Sequence, residues 1–190
     1  MNRIMKNKRN QGFTLIELMT VATIISMLFA IAVPNFLNAV IRAKVARSMA
    51  EQEILAWALE MYFVDRDEYP INREPGKALP GDLNRLSTPI PYVNSIPEDI
   101  FLFPAHRERH EFVESERAGN MTYFYLNFLQ ATGQRVMLPP YGYNGSANYV
   151  VYGLGPSFKT SFDPMTPENF ISYTPSNGMF SDGVLTTFGP

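Results

Sequence analysis

The first feature of the chain is an apolar run from Phe13 to Val33, interrupted by few polar side chains. A helix of about 21 residues spans about 30 Å, which matches the hydrocarbon thickness of a bilayer. A secretory signal peptide has a shorter apolar core, followed by small residues at its cleavage site. The pattern therefore predicts a membrane-spanning helix near the N-terminus.

Beyond Pro34, apolar residues recur every three or four positions as far as Val64, and charged residues fill much of the space between them. This spacing is typical of an amphipathic helix that buries one face. We therefore predict one helix from about Phe13 to about Val64. We expect a kink near Pro34, because proline removes one backbone hydrogen bond of the helix.

The last third of the chain carries short β-prone runs, separated by turn signals such as Asn-Gly and Asp-Gly. The runs are MTYFYLNFL, QRVML, NYVVYGLG, FISYT and GVLTTFG, which begin at residues 121, 134, 148, 170 and 183. They predict a small antiparallel sheet packed on the amphipathic half of the helix, and therefore an α+β fold. We also expect Trp57, the single tryptophan, to pack against this sheet.

Charge is distributed unevenly along the chain. The first twelve residues hold four basic side chains, Arg3, Lys6, Lys8 and Arg9, and no acid. The rest keeps 12 of the 16 basic residues against all 18 acidic ones, a net charge of −6. A basic segment before an apolar run favours a cytoplasmic N-terminus, and an acidic body argues against nucleic-acid binding. The chain has no cysteine, which excludes disulfides and thiolate chemistry.

Glu17 lies inside the apolar run, with no residue of opposite charge close to it in the sequence. A carboxylate in a membrane helix is costly unless it is paired, protonated or close to the interface. A cut after Gly12 would create an α-amine at Phe13, about one helical turn from Glu17. Such an amine on one chain would pair with Glu17 of a neighbour. The alternative is an ordinary membrane anchor with a chance acid.

The stretch KRNQGFTLIELMTVATIISMLFAIAVPNF, residues 8–36, closely resembles the class III signal of type IV pilins and type II secretion pseudopilins. The resemblance implies that a prepilin peptidase cuts between Gly12 and Phe13 and then methylates the new amine of Phe13. It implies that Glu17 pairs with the N-terminus of a neighbouring subunit during assembly. It also implies that the helix bends at Pro34.

Further segments are similar to the major type II secretion pseudopilins, namely LEMYFVDRDEYP, LNRLSTPIPYVNSIPEDIF and YVVYGLGPS. The resemblance is strong over residues 8–70 and scattered beyond them. It implies four parts of the chain: a cleaved leader (1–12), a transmembrane and filament-core half-helix (13–34), an amphipathic half-helix (35–65) and a globular pilin-like domain (66–190).

The family implies a structural subunit rather than an enzyme, assembled into a helical filament that drives type II protein export. Expected partners are further copies of the chain, prepilin peptidase, other pseudopilins and the assembly platform of the bacterial inner membrane. The C-terminal domain would be periplasmic, and no nucleic acid is expected to bind. The alternative is a type IV pilus pilin, major or minor, for adhesion, motility or DNA uptake. A membrane-anchored sensor or enzyme is disfavoured, because no catalytic triad or phosphate-binding loop is apparent.

No cofactor is expected. Major pseudopilins hold Ca²⁺ in a C-terminal loop, and here Asp163 and Asp182 are the acids that would contribute to such a site. Turn chemistry is the alternative role for Asp182, which precedes a glycine. His106 and His110 are four residues apart and would share a metal ion on a helix. The charges around them favour a solvated surface instead.

Overall fold

The computed structural model describes residues 12–71, 83–102, 122–128, 136–137, 146–157, 172–177 and 181–190. Helix α1 extends over Leu15–Arg66. The described residues after it contain five strands: β1 (Phe124–Asn127), β2 (Val136–Met137), β3 (Ser146–Ala147), β4 (Tyr149–Gly153) and β5 (Leu185–Gly189). One long N-terminal helix and a small antiparallel sheet confirm the predicted α+β fold. Helix α1 begins and ends two residues later than predicted.

Contacts within the chain divide it into two units, Met1–Val40 and Ile41–Pro190. In the first unit, the described part of α1 exposes its apolar side chains on all sides, and Phe13 is 86% exposed. The helix is long and apolar enough to cross a membrane. Pro34 lies inside the helix, which continues on both sides of it. The kink at this residue stays a prediction.

In the second unit, α1 buries one face against the sheet. Leu55 and Leu59 are fully buried, and they share a core cluster with Tyr125, Tyr149 and Val151 of strands β1 and β4. These positions follow the three-to-four spacing that the sequence showed. The cluster is the main hydrophobic core of the unit, and it fixes α1 to the strands.

Trp57 does not belong to this core. Its side chain is 64% exposed, so the expectation that it packs against the sheet is wrong. The second half of α1 carries apolar residues on two opposite sides, and only the side with Leu55 and Leu59 meets the strands. Periodicity alone does not tell which of two apolar faces is the buried one.

The main sheet has three strands in the order β1-β4-β5, and both pairs are antiparallel. Phe124 pairs with Tyr152 at one end of the first ladder, and Gly153 pairs with Leu185 in the second. Strands β2 and β3 form a separate two-stranded ladder. Of the predicted run FISYT, residues 172–174 are described, and within them Ser172 forms an isolated bridge with Val184. Strand β3 was not predicted.

Hydrogen bonds from polar side chains of the strands hold α1 and the short segment that follows it. The Tyr125 hydroxyl and the Asn127 side-chain amide both donate to the carbonyl oxygen of Pro70, at 3.0 and 3.3 Å. The Tyr149 hydroxyl donates to Glu60 Oε1 at 2.8 Å. Buried hydroxyls are costly without partners, so these bonds fix the register between helix and sheet.

Candidate functional site

The N-terminus of α1 is closed by a capping box between Thr14 and Glu17. The Thr14 backbone N–H and hydroxyl donate to Glu17 Oε2 at 2.9 and 2.8 Å, and the Glu17 backbone N–H donates to Thr14 Oγ1 at 3.3 Å. The first helical N–H groups have no partner within the helix, and this arrangement satisfies two of them. The box explains why α1 begins at Leu15.

Glu17 therefore has a neutral hydrogen-bond partner in its own chain, Thr14, although no residue of opposite charge lies close to it in the sequence. The carboxylate remains exposed, and both bonds from Thr14 end on the same oxygen, Oε2. An ionised carboxylate has about four acceptor positions, so there is room for a further donor. The Thr-x-x-Glu pattern of residues 14–17 is the sequence signal of this capping box.

The predicted cleavage site precedes this cap. Gly12 and Phe13 are not helical and both are exposed. Among the described residues, no heavy atom lies within 4 Å of a Cβ added at Gly12. The described part of the chain therefore leaves the bond between Gly12 and Phe13 accessible, as a peptidase requires. Cleavage and methylation themselves stay predictions.

Three other polar residues of the apolar run are satisfied by the helix itself. Thr20, Thr23 and Ser26 donate their hydroxyls to the carbonyl oxygens of Glu17, Met19 and Ala22, at 2.9, 2.8 and 2.8 Å. Such bonds let hydroxyl side chains enter an apolar medium without losing hydrogen bonds. Among the polar side chains of this run, Glu17 is the one that carries a charge.

A second polar site lies inside the globular unit, at Asp99. Its side chain is 1% exposed. Oδ1 accepts the backbone N–H of Phe101 at 2.9 Å, and Oδ2 accepts that of Leu154 at 2.7 Å. Gly153 provides the space, because a Cβ there would lie 2.9 Å from Oδ2. One carboxyl group thus joins the segment after residue 98 to the end of strand β4.

Burial raises the pKa of Asp99 from 3.8 to about 6, and the nearby negative charge of Glu51 adds to the effect. The backbone N–H donors of Phe101 and Leu154 oppose this pKa shift. Glu51, on α1, is itself held by the Tyr123 hydroxyl at 2.7 Å and by Arg47 Nε at 2.7 Å. Asp99 is thus bonded to the residue that follows strand β4, and Glu51 bonds α1 to Tyr123, the residue before strand β1.

This pKa has a measurable consequence for stability. Between pH 4 and 6 the folded chain holds a proton on Asp99 that the unfolded chain releases, so the free energy of unfolding falls as pH rises. The contribution is greatest below about pH 4 and lost above about pH 6. The wild type should therefore lose roughly 2–3 kcal/mol relative to Asp99→Asn across this window. Urea titrations of both full chains in detergent micelles measure the difference, and a constant difference would contradict the assignment.

The metal candidates gain no support from the described residues, in which no group of three His, Cys, Asp or Glu side chains could hold a metal ion. Asp182 is exposed, beside Ser181, whose hydroxyl donates to the Thr174 carbonyl at 3.0 Å. Asp163, His106 and His110 lie outside the described residues. Calcium binding stays untested.

Comparisons with known proteins agree with the N-terminal features. Residues 7–33 match the family described as prokaryotic N-terminal methylation motif. The chain is 44% identical over 63 residues to the type IV major pilin protein PilA of Myxococcus xanthus, covering 33% of this chain and 29% of the relative. It is 36% identical over 75 residues to the type II secretion system core protein G of Pseudomonas aeruginosa, covering 40% and 53%.

A further relative is the type IV major fimbrial protein FimA of Dichelobacter nodosus, 45% identical over 58 residues, with 30% of this chain and 37% of the relative covered. The chain thus spans between 29% and 53% of the length of these relatives. No solved structure matches the chain significantly. The matches confirm the predicted resemblance to the type IV pilin-like proteins, near the type II secretion pseudopilins.

Proposed function

We propose that this pilin-like chain is a structural subunit of a type II secretion pseudopilus. A prepilin peptidase would cut it after Gly12, and the mature chain would wait in the inner membrane as a monomer before it is drawn into a helical filament. The observation that carries the proposal is the exposed, acid-bearing N-terminus of an apolar helix, within a stretch that matches the methylation motif.

The proposed assembly step uses the geometry of the cap. In the uncut chain, Glu17 Oε2 accepts hydrogen bonds from the N–H and the hydroxyl of Thr14. Cleavage would produce a positive amine at Phe13, and a neighbouring copy would bring its amine to the exposed side of Glu17. A charge-assisted bond in an apolar medium is stronger than one in water. The ionic contact would therefore fix the axial register of each added subunit, while the apolar half-helices bury one another.

The structural assembly would be open-ended. A contact between two different surfaces of identical subunits does not close unless the rotation between them happens to close a ring, so it propagates as a filament. The Phe13 amine and the Glu17 carboxylate are two such surfaces. The globular units would then coat the outside of the filament and meet the exported protein or the other pseudopilins.

The proposal predicts the mature N-terminus. The processed chain should begin at Phe13, with a methyl group on its amine, and should therefore lack the first twelve residues. Intact-mass measurement and N-terminal sequencing of the protein isolated from membranes test this directly. Gly12→Glu should accumulate as the full-length precursor, because a large charged side chain directly before the cut bond would hinder the approach of the peptidase. A mature chain that begins at any residue other than Phe13 would overturn the proposal.

The alternative function is that of a type IV pilin, whose filament acts at the cell surface. Similarity to the pilins of Myxococcus xanthus and Dichelobacter nodosus supports it as directly as the N-terminal motif does. The absence of cysteine and the similarity of residues 59–103 to major pseudopilins favour secretion. Deleting the gene separates the two: loss of exported enzymes from the medium supports a pseudopilus, and loss of surface fibres and motility supports a pilus.

A further inference from the structure

The second unit carries an apolar stripe on the outer side of α1, opposite the sheet. Ile54, Trp57 and Met61 are 51%, 64% and 48% exposed, whereas Leu55 and Leu59 on the inner side are fully buried. The three exposed residues are spaced by three and four positions, so they line one side of the helix. We call them the apolar triplet. Large apolar side chains grouped on a surface mark an interaction site.

A second stripe of the same spacing lies on the same side of α1. Ala43, Ala46 and Ala50 are exposed, and each lies 11 residues before its counterpart in the apolar triplet. Eleven residues make about three turns, so the two stripes share nearly the same line along the helix. We call these residues the alanine triplet. Three small residues leave a shallow depression, and three large ones project, with matching intervals.

Charges along the same part of α1 are ordered in a way that favours a displaced second copy. Basic residues come first, beside the alanine triplet, and acidic residues follow from position 51 to position 65; they are Arg42, Lys44 and Arg47, then Glu51, Glu53, Glu60 and Asp65. Two parallel copies in register would place like charges together. Displacement of one copy along the axis places the acids of one beside the bases of the other.

We propose that the apolar triplet of one copy docks on the alanine triplet of a second, parallel copy, displaced by about eleven residues, or roughly 16 Å. This inference rests on the proposed function, because two copies that enter one membrane in the same orientation are parallel. At this displacement Trp57 lies opposite Ala46 of the second copy. Large residues then fill the space that small residues leave, as in close helix packing.

The displacement also places opposite charges on facing flanks. By helical projection, Arg47 and Glu60 lie on opposite flanks of the stripe. Their separation along the sequence exceeds the eleven-residue offset by two positions, so Arg47 of one copy and Glu60 of the other differ in level by about 3 Å. Long side chains bridge that distance. Arg47 is 64% exposed beside its own Glu51, and its guanidinium has five N–H donors for more than one acceptor. An ionic contact at the rim of the apolar contact is therefore available.

Disulfide trapping tests the displacement, and the chain is suited to it because it contains no cysteine. Two full-length variants, Ala50→Cys and Met61→Cys, carry different tags and are expressed together at equal levels in cells that assemble the filament. Mild oxidation follows, and the tags distinguish mixed from like pairs. We expect the mixed disulfide to exceed either like pair at least tenfold, because positions 50 and 61 lie at the same level across the contact.

Two further substitutions show whether the apolar triplet drives the contact. Adding Trp57→Ala to both cysteine variants should lower the mixed disulfide at least tenfold, and its exposed position lets the fold remain intact. Met49→Ala is the matched control: Met49 is 44% exposed on the same helix but lies off the stripe, so the disulfide should be unchanged. Equal yields from the two substitutions would overturn the docking role of Trp57.

The remaining outcomes separate this inference from the proposed function. Filaments of chains that begin at Phe13, with like pairs at position 50 or with no disulfide at all, would overturn the displaced contact and leave the pseudopilus subunit standing. A disulfide from position 61 to a different polypeptide would likewise overturn it, since the stripe would then serve another partner. Failure of the wild-type chain to be processed or assembled would overturn both.

Discussion

Replacing Glu17 with alanine should abolish incorporation into filaments and leave membrane insertion unchanged. Insertion depends on the apolar length of the helix and on the basic N-terminus, which the substitution does not touch. Incorporation depends on the carboxylate that would bind the Phe13 amine of a neighbour. In an apolar medium, an amine without its acid is strongly disfavoured, so the added subunit would lose both its register and much of its binding energy.

The alanine variant also removes the capping box, and a matched variant is needed to separate the two roles. Glu17→Gln keeps an oxygen that accepts the Thr14 N–H, since glutamine serves as well as glutamate in a capping box. It lacks the negative charge. Loss of the cap alone is worth about 1 kcal/mol, too little to prevent assembly. We therefore expect Glu17→Gln to fail in assembly almost as completely as Glu17→Ala.

Thr14→Val provides the opposite variant, because it removes the hydroxyl contact and keeps the charge of Glu17. It should still assemble. The measurement compares the carbonate-resistant membrane fraction, which reports insertion, with the sheared filament fraction, which reports incorporation. Filament yields at the wild-type level for Glu17→Gln would show that the charge is not needed, and the proposed pairing would then be wrong.

The long helix was predictable because its signals are local. An unbroken apolar run and then a period of three to four residues identify α1 over nearly its whole length. Its observed start lies two residues after the predicted one, because Thr14 and Glu17 form a capping box that makes Leu15 the first helical residue. The exposure of Trp57 could not be read from periodicity, since the second half of α1 has two apolar sides and the sheet selects one.

The buried site at Asp99 was not predictable from the sequence. Asp99 stands in a charged, proline-rich stretch where acids are normally solvated. Its burial depends on the Leu154 N–H, which comes from a residue 55 positions away. It also depends on Gly153, which leaves room for the carboxyl group. No local pattern records such a contact, because three separate segments create it.

The same end of strand β4 gives the largest expected effect on folding. Gly155→Ala should destabilise the globular unit by about 3 kcal/mol or more, because the new Cβ would overlap the carbonyl oxygen of Gly183. The obstacle is backbone, which no side-chain rotation removes. Gly183 itself has a φ of +137°, and the carbonyl oxygen of the next residue, Val184, accepts the Tyr173 N–H at 3.0 Å, so Gly183 cannot retreat without disturbing that bond.

Two comparison variants make the prediction specific to this close approach. In Gly153→Ala, the new Cβ would lie 2.8 Å from the Tyr123 ring and 2.9 Å from Asp99 Oδ2, both side-chain atoms, so the cost should be smaller than at Gly155. Thr186→Ala, at a half-exposed position of neighbouring strand β5, should cost less than about 1 kcal/mol.

Urea unfolding of the three full chains in detergent micelles, followed by tyrosine circular dichroism, gives the order of their stabilities. A midpoint for Gly155→Ala equal to that of Thr186→Ala would mean that strand β4 and the segment before β5 do not pass as closely as described. The globular unit would then tolerate rearrangement at the junction that also holds Asp99.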